Sequence, residues 1–280
     1  MLIISVLVAI ILVMGLGYLA PNLPAHELLG GNFYQVISIV LAIVISLFLN
    51  LPMLYMFSGN SAYKKGKYKD ALVKYKKAYK TKRLSPDMEI FCGYIFLKEG
   101  DKAICEEVFD RVAKRKLSDR QKDSLDTNRA LLLWKKGQID DAVALLESVW
   151  ERGESITVAG SLGALMLIQA KHKGDYKKAL DFCEKTNEKF TYEKTIMANL
   201  GEAYYCIGDN DRALEVFSEL MDCGSSAPAP FYYYGLALLK AGKKDEAEEM
   251  FNRSLRQRFS ALSTVSRKTV KAKLEEITAE

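Results

Sequence analysis

The sequence predicts an all-α protein: a two-helix transmembrane hairpin at the N-terminus, then an α-solenoid of about six helix pairs closed by a C-terminal capping helix. Three observations carry this reading. Two long N-terminal stretches hold no charge, six glycines recur at nearly constant spacing through the rest of the chain, and an apolar stripe of helical period accompanies each glycine.

The hairpin comes first. Leu2 to Ala20 carries no charged residue, and neither does any position between Glu27 and Lys64. Each stretch supplies the roughly 20 apolar residues that cross a bilayer as a helix. The spans are placed at residues 2–20 and 35–57. A cleavable signal peptide is the competing reading of the first. No Lys or Arg precedes its apolar run, and Pro21 directly follows Ala20, where a cleavage site would be sought, so retention as a span is favoured. Gly15 and Gly17 fit close packing of the two spans.

Charge sets the orientation. Residues 21–34 contain no Lys or Arg, whereas residues 64–83 carry ten cations against Asp70 alone. The positive-inside rule therefore puts the N-terminus and everything after the second span on the cytoplasmic side of a bacterial inner membrane. Within 64–83, Tyr68, Ala71, Leu72, Tyr75, Ala78 and Tyr79 form an apolar stripe, so the lysines occupy the opposite, solvated face. Lys64, Lys65, Lys67 and Lys69 lie closest in sequence to the span and are the expected membrane-surface residues, able to meet anionic lipid headgroups. Nucleic acid is not an expected partner, because the charge beyond residue 83 is net negative, at −3.

The repeat follows. Gly66, Gly100, Gly137, Gly174, Gly208 and Gly242 are spaced by 34, 37, 37, 34 and 34 residues. Around them a small residue comes first, an aromatic or Leu three positions on, the Gly four further, a small residue five further, and a bulky apolar residue four beyond. The clearest copies are Gly201, Tyr204, Gly208, Ala213, Phe217 and Gly235, Leu238, Gly242, Ala247, Phe251. Gly93, Phe96, Gly100, Cys105, Phe109 and Gly59, Ala62, Gly66, Ala71, Tyr75 follow with drift, as do the copies around Gly137 and Gly174. The small residues suit positions where two antiparallel helices cross, and the second Gly suits a left-handed helix end.

This pattern resembles the tetratricopeptide repeat (TPR) family over residues 53–259. Two family features are weak: its Trp position holds Tyr55, Glu89, Asp126, Gly163, Met197 and Phe231, and its closing Pro is mostly missing. The resemblance implies helix pairs stacked into a superhelix. The solenoid is bounded at 58–259, with its first helix able to begin at 53, directly continuous with the second span, and Pro52 is the expected kink. Residues 260–280 form the expected cap.

Chemistry is sparse. There are two histidines, His26 and His172, and the five cysteines contain no Cys-x-x-Cys pair. No catalytic, metal or cofactor residue is therefore assigned, and an enzyme is not expected. Cys92, Cys105, Cys183 and Cys206 fall on or beside repeat positions that suit buried reduced thiols, and Cys223 falls in an inter-repeat loop. In the resembling family the first helix of each pair lines a concave face, which nominates Phe91, Tyr94, Asn128, Trp134, Asn199, Tyr205, Tyr232 and Tyr233 for partner binding. Packing between neighbouring helices is the alternative role for each. The family's carboxylate clamp is incomplete, since its positions hold Met56, Asn60, Ser124 and Asn128.

The expected function is a membrane-anchored cytoplasmic scaffold or adaptor that binds proteins or peptides through this groove. The alternative is a subunit of a membrane enzyme or transport complex contacted mainly through its spans.

Overall fold

The computed structural model describes residues 31–279, with isolated positions 11, 14 and 15. The first expected span, residues 2–20, lies almost wholly outside the described residues, as do residues 21–30 of the loop that follows it, while residues 31–34 already belong to the next helix. The described residues form helices joined by turns and short irregular segments, with no strand among them, and divide into two compact units between Cys92 and Gly93.

The first unit is built on α1, Gly31–Lys64, one α-helix of 34 residues with Pro52 inside it. It runs through the expected end of the second span at residue 57 without a break. Gly66, at φ +73°, ends it, and α2, Tyr68–Lys80, folds back against its second half. That packing is close. The Tyr75 ring would lie 2.8 Å from a Cβ at Gly59, and the Tyr75 hydroxyl donates to Asn60 Oδ1 at 2.7 Å. Met56, Ala71, Ala78 and Tyr79 complete the buried seam. The first half of α1 contrasts with this. Val36, Val40, Val44 and Phe48 are 57, 55, 55 and 63% exposed. Residues 39–64 are long and apolar enough to cross a membrane.

α3, Pro86–Lys98, contains the boundary between the units. In the second unit follow α4 (Lys102–Ala113), α5 (Asp119–Lys135), α6 (Ile139–Arg152), α7 (Ile156–Lys173), α8 (Lys177–Lys189), α9 (Lys194–Ile207), α10 (Asn210–Cys223), α11 (Pro228–Lys240), α12 (Lys244–Arg256) and α13 (Arg267–Ala279). Local signals start several of them. Ser118 and Gln121 form a capping box, and Asp101, Ser155 and Asp209 accept from the third backbone N–H of the following turn.

The repeat register appears directly in the backbone. All six register glycines have φ between +73° and +90°, a region that costs other residues about 1 kcal/mol or more. At the crossings, Phe109, Phe217 and Phe251 press their rings into the space left by Gly93, Gly201 and Gly235, where a Cβ would stand 2.3–2.7 Å from the nearest ring atom. Ala142, Ala213, Ala247 and Cys105 are completely buried. These layers stack into an apolar core from α5 to α11 and a second around α11, α12 and α13.

The cap differs from expectation in extent. Residues 257–266 are non-helical, and only Arg267–Ala279 is helix, closing the end of the array with Val270 and Ile277. The segment before it has another use. Ala261 N–H donates to Lys98 O at 2.9 Å, and Arg258 pairs with Glu99, so the chain after α12 returns to the end of α3. Within this unit the superhelix closes on itself.

Candidate functional site

The closed wall surrounds a cavity of about 1270 Å³. Its sides are the first helices of successive pairs, α3, α5, α7, α9 and α11, and its seam is the segment 258–264. The lining mixes amides and hydroxyls (Thr127, Asn128, Ser161, Asn199) with both signs of charge (Lys98, Arg120, Lys194 and Arg258 against Asp123, Glu154 and Glu202). Leu131, Trp134 and Leu165 add apolar surface. Such a surface suits an extended polar chain better than a purely apolar ligand.

Of the eight candidate partner residues, the structure brings four together on this wall: Tyr94, Asn128, Trp134 and Asn199. Both amides also serve the scaffold. Asn199 Nδ2 donates to Gly160 O at 2.9 Å, joining α9 to α7, and Asn128 Nδ2 donates to Ser124 O at 2.8 Å. The other four lie elsewhere. Phe91 belongs to the first unit and stands edge-on to Tyr75, with ring centroids 5.8 Å apart. Tyr205, Tyr232 and Tyr233 pack as a row between helices, with centroids 5.9 Å apart for Tyr205–Tyr233 and 5.4 Å for Tyr232–Tyr233. Consecutive helical residues point about 100° apart, so Tyr232 and Tyr233 could not both face one groove. The charged lining was not singled out from the sequence, because charged residues on these helices read as ordinary solvated faces until the wall curves around them. Its one local sign is the Pro228-Ala229-Pro230 start of α11, which brings a helix N-terminus to the rim.

Electrostatics single out Glu202 on the lining and Lys135 beside the lining residue Trp134. Burial pushes the Glu202 carboxyl up to about 7, partly offset by a hydrogen bond from Tyr233 and by Lys171. Burial and the neighbouring Lys102 bring the Lys135 ammonium, 3.4 Å from the Trp134 ring centroid, down to about 8. Arg152 holds the wall from behind, donating to Asp123 at 2.9 Å and Asp126 at 2.8 Å.

Cys92, Cys105 and Cys183 are buried, and burial raises the Cys105 and Cys183 thiols to about 12. Two cysteine expectations need correction. Cys206 is only half-buried, beside Tyr176, with its thiol raised to about 11. Cys223 is the last residue of α10 rather than part of a loop, because the chain turns at Gly224, φ +79°. Among the described residues, no three His, Cys, Asp or Glu side chains gather into a metal-holding group. Lys64, Lys65, Lys67 and Lys69 cluster at the turn between α1 and α2.

Residues 198–261, the α9–α12 region with the clearest repeats, match the family described as Tetratricopeptide repeat. A TPR repeat-containing protein of Methanocaldococcus jannaschii is 24% identical over 227 residues, 75% of this chain and 39% of that protein, so the chain spans about two fifths of its relative's length. Among solved structures, a tetratricopeptide repeat protein from Parabacteroides merdae superposes with a TM-score of 0.64 at 13% identity, covering 87% of this chain and 93% of that one. The APC/C hetero-tetramer Cut9–Hcn1 superposes at 0.60 and 15% identity, over 90% of this chain and 52% of that one. The fold is thus an all-α, tetratricopeptide-like solenoid. Repeats of this kind act as protein-interaction scaffolds, and their concave surfaces are typically binding rather than catalytic.

Proposed function

We propose that this chain is a membrane-anchored scaffold that holds an extended segment of a partner protein in the cavity of its solenoid. The cavity carries the reading: five first helices and the loops beside them present amides, hydroxyls, two aromatic side chains and charges of both signs around one volume, with no catalytic constellation assigned to it. Asn128 and Trp134 on α5 and Tyr94 on α3 are the proposed partner contacts, with Asn199 positioning the wall through Gly160. The anchor is the apolar first half of α1, preceded by a second span at residues 2–20. The N-terminus and array face the cytoplasm of a bacterial inner membrane, as the charge asymmetry favours. No cofactor is invoked.

The test is site-specific photocrosslinking in native membranes. A photoreactive residue at Asn128 or Trp134 is expected to capture partner proteins that one at Glu219, exposed on α10, does not. Equal capture at all three positions contradicts the groove.

A second reading has its own support in the exposed apolar surface of α1: a subunit of a membrane complex gripped mainly through its spans. Removing the array while keeping residues 1–63 separates the two. Partners retained by that fragment favour the second reading, and partners lost favour the scaffold.

A further inference from the structure

Pro52 has no amide hydrogen, so the carbonyl of Phe48, four residues earlier in α1, loses its helical donor. Arg83 replaces it. Its Nη2 donates to Phe48 O at 2.8 Å, and its guanidinium lies 4.6 Å from the Phe48 ring centroid. The approach is made possible by Lys82, whose φ of +57° turns the chain after α2 back toward α1. A permanent cation is thereby fixed at one level of an otherwise apolar helix.

That level divides α1. On its N-terminal side most described side chains are apolar and exposed, including Val40, Val44 and Leu47, while Ala42 is buried and Ile45 and Ser46 are half-buried. On its C-terminal side α2 runs alongside as far as the turn at Gly66, with Lys77 stacked 6.0 Å over Tyr55. Hydrocarbon accommodates neither a guanidinium nor a lysine-bearing helix cheaply. Residues 31–47 are 17 residues of helix, about 25 Å long, the short end of what crosses a bilayer. The Lys64–Lys69 turn lies 16 residues beyond Phe48, about 24 Å farther along the axis and several Debye lengths away at physiological salt.

Resting on the reading that α1 spans a bilayer, we propose that the membrane interface falls at Phe48 and that Arg83, with exposed Lys80 and Lys82, forms a collar binding the phosphates of anionic phospholipids. The partner is an anionic lipid surface, recognised by three cations at the rim of an apolar cylinder. This moves the lipid contact from the lysines nearest the span in sequence to those nearest it in space. Lys64, Lys65, Lys67 and Lys69 then face the cytoplasm.

The experiment uses the full chain reconstituted in phosphatidylcholine vesicles, with or without phosphatidylglycerol. Tryptophan replaces either Leu47 or Leu54, both exposed at 55% and 44%, and the signal of Trp134 and Trp150 is subtracted using the parent chain. Brominated phosphatidylcholine is expected to quench the Leu47→Trp chain strongly and the Leu54→Trp chain weakly. Equal strong quenching overturns the proposed interface while leaving α1 a span. No quenching at either position overturns the span itself.

The collar is read by comparing brominated phosphatidylglycerol with brominated phosphatidylcholine on the Leu47→Trp chain. Arg83→Gln is expected to lower the preference for phosphatidylglycerol about fivefold, and Lys80→Gln with Lys82→Gln by about fivefold per charge, with phosphatidylcholine quenching unchanged. The double variant keeps Arg83 on Phe48 and so decides the matter if Arg83→Gln misfolds. An unchanged preference in the double variant overturns the collar.

Discussion

Two helices of similar composition meet opposite fates. α7, Ile156–Lys173, is apolar on nearly every side and buries Val158, Leu162, Leu165, Met166 and Leu167 among α5, α6, α8 and α9. The first half of α1 is equally apolar all round, yet Val40, Val44 and Leu47 stay exposed among the described residues. A helix without an amphipathic stripe needs apolar surroundings on all sides, and only another protein layer or a lipid phase supplies them. The comparison teaches that hydropathy alone does not separate these fates. Small residues do: α7 carries Gly160 and Gly163, which let α9 approach until Thr195 and Asn199 would stand 2.9 and 2.8 Å from a Cβ.

Charging the two helices should break the comparison most visibly. Leu162→Asp places an unpaired carboxylate in the core and is expected to cost more than about 4 kcal/mol, unfolding the solenoid in a circular-dichroism melt. Val40→Asp is expected to leave that melt unchanged in detergent while costing roughly 2.5–3.5 kcal/mol of bilayer insertion, read as weaker retention in membranes.

The next effect is a pH dependence. Because burial raises the folded Glu202 carboxyl above its ordinary 4.5 to about 7, the native state holds its proton more tightly than the unfolded chain. This contribution to stability is therefore largest at low pH and is lost as pH rises between those values. Glu202→Gln should be more stable than the parent at about pH 8, by at most about 3 kcal/mol and less to the extent that water reaches the carboxylate, with the advantage vanishing below about pH 4.5. Urea titrations at the two pH values measure it.

Gly163→Ala should cost about 1–2 kcal/mol in the same titration, because the new methyl displaces Asn199 from its bond to Gly160 O, whereas Val44→Ala on exposed α1 should change the solenoid's stability negligibly. Smallest is Arg152→Ala. Its ion pairs with Asp123 and Asp126 are partly solvated, and their loss is expected to cost about 1 kcal/mol or less.

The helix pairs were legible because six glycines share one conformational requirement, left-handed backbone at a helix end, which few other residues meet cheaply. The crossings were legible for a related reason, since Gly201 and Gly235 leave room for rings that arrive sixteen residues later. Closure was not legible. It depends on a backbone hydrogen bond from Ala261 to Lys98 and on the Arg258–Glu99 ion pair, whose partners lie 159 residues apart and are announced by no local pattern. The candidate site was half legible for the same reason. Register alone placed Tyr94, Asn128, Trp134 and Asn199 on first helices, but the curvature that gathers Arg120, Lys194 and Arg258 around the same volume is a property of the stack. The return of Arg83 to Phe48 was not legible either, because it depends on α2 folding back along α1, which no local pattern of lysines announces.

The membrane anchor is tested by flotation of alkali-washed native membranes, with the full chain and a Val8→Asp, Val40→Asp double variant, one charge in each proposed span, side by side. The full chain is expected to float with the lipid after the wash, and the double variant to move largely into the dense soluble fraction with its solenoid folded. A full chain released by the wash, folded and free of lipid, would contradict the anchor.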